Sequence, residues 1–138
     1  MTDLSRFVMV QQGIYLQALA ELRRGRKQSH WMWFVFPQIA GLGHSAMAQL
    51  YAIADLDEAR AYLAHPILGP RLRECTGAML AHSGRSARAI LGEIDAVKLR
   101  SSMTLFEAAG GDGSLFGACL DAFFDGARDP ATLELLER

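Results

Sequence analysis

The sequence predicts an all-α protein, a compact multihelical single domain of eight or nine short-to-medium helices spanning residues 1–138. Three observations lead there. Apolar residues recur in steps of three and four along most of the chain. Ser and Asp stand where helices should start, with Gly and Pro where they should stop. No segment alternates polar and apolar residues in a way that would give a strand a partner. At 138 residues, 51% hydrophobic and 21% charged, the chain has the length and composition of one domain with a self-sufficient core.

The first helix is expected from about Leu4 to Arg24, with Phe7, Val8, Tyr15, Ala18, Leu19 and Leu22 on its apolar face. Thr2 or Asp3 would cap its start. Arg23 and Arg24 suit the negative end of the helix dipole, and Gly25 suits the left-handed position that ends a helix. Next comes His30-Trp31-Met32-Trp33-Phe34-Val35-Phe36, with both tryptophans of the chain and no Asp, Glu, Lys or Arg. Aromatic side chains bury about 150–250 Å² each, so this run belongs near the centre. A lone strand would leave its backbone groups unpaired in the interior, so a short helix capped by Ser29 and stopped before Pro37 is expected.

Residues 37–44 read as a Gly-rich loop. Ser45 would cap a helix carrying Met47, Leu50, Tyr51 and Ile53, and Asp55 with Glu58 resembles a capping box for residues 56–64, ended by His65-Pro66. Gly69-Pro70 would open the next helix, with Leu72, Cys75, Met79 and Leu80 inward and Ser83-Gly84 at its close. Ser86 starts a short helix that stops at Gly92. Asp95 is expected to cap a helix from Ala96 to about Ala109, with Leu99, Met103 and Phe106 in its core stripe. After the loop at 110–113, Ser114 would start a helix ended by Gly126, and Asp129-Pro130 would launch a terminal one through Leu136. No internal repeat, low-complexity tract or linker divides the chain.

Charge and composition narrow the function classes. The net charge is −1, which counts against a dedicated duplex-DNA binder. Its distribution is uneven: residues 23–27 hold four positive charges in five positions, and residues 121–138 are more acidic than basic. No apolar run approaches the ~20 residues that span a bilayer, and the amino terminus lacks a signal-peptide core, so a cytoplasmic location without membrane attachment is expected. Cys75 and Cys119 lie in apolar helical contexts and read as buried thiols, neither paired nor nucleophilic. The four histidines show no ligand spacing, so no metal is expected. No phosphate loop or dinucleotide fingerprint calls for a cofactor. His65 and His82 read as helix-end residues, His44 as exposed.

Two stretches stand out as candidate chemistry. In the first, Arg26, Lys27 and His30 lead into Trp31 and Trp33: cations and a histidine for an anion, indoles for stacking. It reads equally as a core segment with polar ends. The second is Lys98-Leu99-Arg100-Ser101-Ser102. Adjacent serines weaken a helix interior unless their hydroxyls find a partner, and Lys98, Arg100, Ser101 and Ser102 together suit a phosphate or carboxylate. The plain alternative is a solvated helix face. No spacing points to paired-carboxylate catalysis, and whether the protein is an enzyme stays open.

Four segments carry a family resemblance: Leu4 to Phe7, Gly25 through Phe34 and on to Pro37-Gln38, His65 to Leu72, and Lys98 to Phe106. Together they resemble a bacterial domain-of-unknown-function family of small all-helical proteins, sometimes labelled calpastatin. The resemblance covers the whole chain and implies an all-α, multihelical, single-domain fold without an established activity. An inhibitor of the calpastatin kind is a disordered chain, whereas this composition is globular. A fainter similarity is to helical proteins acting on N-glycosidic or ADP-ribose-type substrates, shared through the basic, aromatic first half and the Lys98 helix.

Three functions are therefore weighed. The first is binding or processing of a nucleotide-like or other small anionic ligand between the two stretches. The second is a non-enzymatic protein-protein interaction module that uses the aromatic segment or the acidic terminal helix, its partner unspecified. The third is nucleic-acid binding through residues 23–30, which the net charge places last. The first requires the two stretches to meet.

Overall fold

In the computed structural model, which describes residues 3–110 and 113–137, the chain runs through helices α1 (Ser5–Arg24), α2 (Met32–Val35), α3 (Ala46–Leu50), α4 (Leu56–Ala64), α5 (Leu68–Leu80), α6 (Ala87–Leu91), α7 (Glu93–Ala108), α8 (Gly113–Phe124) and α9 (Pro130–Leu136). The expected all-α class holds. Strand-like pairing among the described residues is limited to one isolated parallel bridge, Ile39 with Ile53, closed by Ala40 N–H on Ile53 O and Ile53 N–H on Gln38 O, each 2.8 Å.

Several boundaries follow from local chemistry as expected. Ser45, Asp55, Ser86 and Asp129 each accept a backbone N–H from the first turn of the helix they precede. Gly25 ends α1 at φ 76° and Gly126 follows α8 at the same φ. At the amino end Asp3 Oδ1 accepts from Ser5 N–H at 2.9 Å; Thr2, the other candidate, lies outside the described residues, as do 111 and 112 of the later loop.

Three expectations are corrected. Ser29 does not cap the aromatic helix: Trp31 occupies that position without a side-chain cap, and α2 is a single turn. α5 starts at Leu68, ahead of Gly69-Pro70, because His65 Nδ1 accepts from the N–H groups of Ile67 and Leu68 at 3.1 and 3.2 Å. Pro70 then falls in the first turn, where a missing N–H costs no helical hydrogen bond. His65 thus serves a helix start, not terminal carbonyls. Asp95 is not a cap either; α7 starts at Glu93 behind Gly92, and the Asp95 carboxylate is engaged elsewhere.

α7 is the axis of the molecule. Six consecutive residues, Ser101 to Phe106, are buried, so neighbours surround the helix on all sides. It packs on α4, α6, α8 and α9, while α5 lies between α1 and α8. An aromatic column crosses the core from Tyr51 through Phe7, Tyr62 and Phe106 to Phe116, with successive centroids 5.3–6.0 Å apart. Arg6 ties the start of α1 to the far side of α3, donating to Leu50 O at 2.9 Å and Ala52 O at 2.8 Å and pairing with Glu58 at 3.1 Å.

Candidate functional site

The site is built on a carboxylate. Glu21, at the start of the last turn of α1, is 1% exposed. Its Oε1 accepts from Gln28 N–H at 2.7 Å, Ser29 N–H at 2.9 Å and Trp31 Nε1–H at 2.9 Å, and its Oε2 accepts from the Ser29 hydroxyl and, at 3.3 Å, from Gln17. Burial by itself would push the Glu21 carboxyl up; the donors from Ser29, Gln28 and Trp31 outweigh it and hold the group at about 2. One side chain thereby folds residues 25–31 back over the helix they leave. Ser29, read from sequence as a helix cap, spends its hydroxyl here.

The consequence is the placement of the indoles. Trp31 is enclosed, packed on Phe36 with centroids 6.4 Å apart, and belongs to the core. Trp33 is half-buried at the edge. Lys27, held by its own N–H on Ile90 O at 2.8 Å, carries its ammonium 5.2 Å from the Trp31 ring centroid. From α7, the Lys98 ammonium sits 4.1 Å from the Trp33 centroid. Both ammoniums converge on Asp95, Lys27 at 2.9 Å and Lys98 at 3.3 Å. Two stretches some seventy positions apart therefore do meet, through two cations, one carboxylate and two indoles. Asp95 is the member that sequence reasoning missed. The i, i+3 spacing from Lys98 was its available signal.

The other candidates lie elsewhere. Arg100 reaches the opposite side of α7, donating to Ala127 O at 2.8 Å and Arg128 O at 2.7 Å. Ser101 donates to Asp129 Oδ2 at 3.1 Å, helping to dock α9. Ser102 shares the helix face of Asp95 and Lys98, is fully buried, and its hydroxyl has no hydrogen-bond partner among the described residues. Arg26 and His30 are exposed.

Beside the cluster an open depression of about 410 Å³ is lined by Leu91, Gly92, Glu93, Ile94 and Asp95. A second carboxylate, Glu93, lines this hollow together with Asp95. A smaller hollow of about 210 Å³, between α4 and α5, contains none of the predicted residues. Among the described residues no group of three or more His, Cys, Asp or Glu could hold a metal. Burial raises both thiols to about 12, which keeps Cys75 and Cys119 protonated and unreactive. No helix among the described residues is long and apolar enough to cross a membrane.

Family comparison agrees with the extent of this architecture. The family described as "Protein of unknown function (DUF1810)" matches residues 1–136. The chain belongs to the DUF1810 family. A similar solved structure is that of the conserved hypothetical protein Rv1873 from Mycobacterium tuberculosis, 50% identical to this chain, with a TM-score of 0.96 over 99% of this chain and 97% of that one. No curated protein matches. Neither description mentions calpastatin, so that label does not carry over, while the helical architecture of this DUF1810 chain does.

Proposed function

We propose that the cluster of Lys27, Asp95, Lys98 and Trp33 binds a small ligand that carries an anionic group beside a planar ring, nucleotide-like in kind. The observation that supports it is the charge balance at a largely covered place. The side chains of Lys27, Lys98 and Asp95 are 9%, 20% and 18% exposed, and two ammoniums share one carboxylate. Sequestering an extra cation there is costly unless something else answers it. A phosphate or carboxylate on the open side of Lys98 supplies that charge, and a planar ring takes over the Trp33 face that the ammonium now covers. Glu93, on the rim, accepts hydrogen bonds from sugar hydroxyls. Trp31 supports the wall from behind.

Thermal-shift measurements with adenosine monophosphate, ADP-ribose and inorganic phosphate test this reading. A saturable rise in melting temperature is expected with at least one nucleotide, reduced or lost in Lys98→Met, in which the Lys27–Asp95 pair persists. Absence of a shift with every compound contradicts it.

A second reading, a non-enzymatic protein-protein interaction module, is favoured by exposed apolar side chains. Ile94 and Val97 on α7 are 73% and 60% exposed, next to the depression. Light scattering separates the two: a mass that rises with concentration and falls back in Ile94→Glu supports the second.

A further inference from the structure

The fold gathers arginines from two separate segments around Gly25. Residues 24–26 leave the end of α1, and residues 82–88 run from the end of α5 into α6. Arg85 Nη1 donates to Gly25 O at 2.8 Å, and His82 Nε2 donates to Arg23 O at 3.0 Å. The Lys27 N–H on Ile90 O then lays the second segment alongside the first. Gly25 is required at this crossing. Its φ is 76°, and a Cβ there would collide with the Arg85 guanidinium and come within 3.1 Å of the His82 ring.

Arg24, Arg26, Arg85 and Arg88 are all exposed, and none of the four is paired with a carboxylate among the described residues. Two acids of this end are committed elsewhere, Glu74 to Arg23 and the Tyr15 hydroxyl, Asp95 to the two lysines. Unanswered like charges packed together oppose folding, and they attract polyanions.

We propose that this ridge binds the phosphodiester backbone of single-stranded nucleic acid. Guanidinium forks match phosphate oxygens in pairs and read no sequence. A flexible strand is favoured over a duplex by the charge of the rest of the molecule. With Arg23, Arg24, Arg26, Lys27, Arg85 and Arg88 at this end beside Glu21, Glu74 and Asp95, the other eight basic residues stand against twelve acidic ones. A rigid duplex long enough to reach the ridge brings its charge against that acidic remainder. A single strand touches the ridge alone. Arg26 is exposed, whereas the ammonium of its neighbour Lys27 turns inward to Trp31, so the ridge is a surface separate from the ligand cluster.

Fluorescence anisotropy of a labelled oligo-uridine, measured against salt, tests the proposal. Binding is expected at low salt, weakening as salt rises by about 0.7 in the logarithmic slope for each phosphate contact. Arg26→Glu with Arg88→Glu is expected to lower affinity by about tenfold or more at low salt, since each reversal replaces an attraction by a repulsion. Arg60→Glu, on α4, is expected to leave binding unchanged. If the double reversal does not fold, Arg26→Gln with Arg88→Gln is read by its slope, which should fall by about 1.4. Three results overturn the proposal: no binding at low salt, wild-type affinity in the folded double variant, or tighter binding of a duplex or of poly-glutamate than of the single strand. The melting-temperature response to nucleotides is read separately, so failure of this surface and failure of the ligand cluster are distinct outcomes.

Discussion

Glu21 shows how one residue can decide the course of a segment. Its carboxylate accepts from Gln28 N–H, Ser29 N–H and the Trp31 indole together. Glu21→Ala would strand several donors in a covered place, each at about 1–3 kcal/mol, and a loss of at least about 3 kcal/mol is expected in urea denaturation. The pH dependence has a definite sign. The folded carboxyl titrates near 2 against an ordinary 4.5, so its contribution is present above pH 4.5 and disappears as pH falls toward 2. That span corresponds to about 3 kcal/mol. Glu21→Gln should flatten this acid limb; superimposable acid limbs for the two proteins would contradict the assignment. Nothing near Glu21 in the sequence announces the role, because its partners lie seven to ten positions on, across a turn that has no motif. Asp95 was misread for a related reason. A carboxylate near the start of a helix looks like a cap, and the lysine that claims it from residue 27 is invisible at that range.

At the scale of elements, legibility tracks the distance over which the deciding interaction acts. The starts of α3, α4, α6 and α9 could be read because each is fixed by a side chain bonding three residues ahead. The start of α5 could not, since His65 does the work usually left to Ser or Asp. The two adjacent serines of α7 part company: Ser101 finds a partner in the carboxylate that caps α9, while the Ser102 hydroxyl has none among the described residues. Asp129 Oδ2 accepts from Ser101 Oγ, Thr132 N–H and Thr132 Oγ1, while Asp129 N–H donates to Thr104 Oγ1 at 3.0 Å. The residue caps α9 and fastens it to α7 at once. Asp129→Ala is expected to cost about 2–3 kcal/mol, more than the ~1 kcal/mol of a simple exposed cap, because it also leaves the buried Thr132 hydroxyl unpaired and removes the tie to Ser101. Chemical denaturation checks this, and a loss below about 1 kcal/mol would show that α9 is held by apolar contacts instead.

For the whole molecule, one hydrophobic core runs from Leu4 to Leu120 around α7. The all-α class was readable because local periodicity and caps carry it, and a helix satisfies its own backbone. The meeting of residue 27 with residue 98 is a property of topology, which those signals leave open. The same topology brings Arg24 and Arg26 from one segment beside Arg85 and Arg88 from another. It also leaves just two indoles, one enclosed against Glu21 and one half-buried under Lys98, and these distinguish core from site within a single spectrum. The most direct test of the ligand cluster follows the two indole N–H resonances of ¹⁵N-labelled protein during titration with ADP-ribose. The account predicts a saturable displacement of the Trp33 resonance, a much smaller one for Trp31, and loss of the Trp33 response in Lys98→Met. A Trp33 resonance that stays in place through the titration, in protein shown to be folded by its unchanged Trp31 signal, would contradict it.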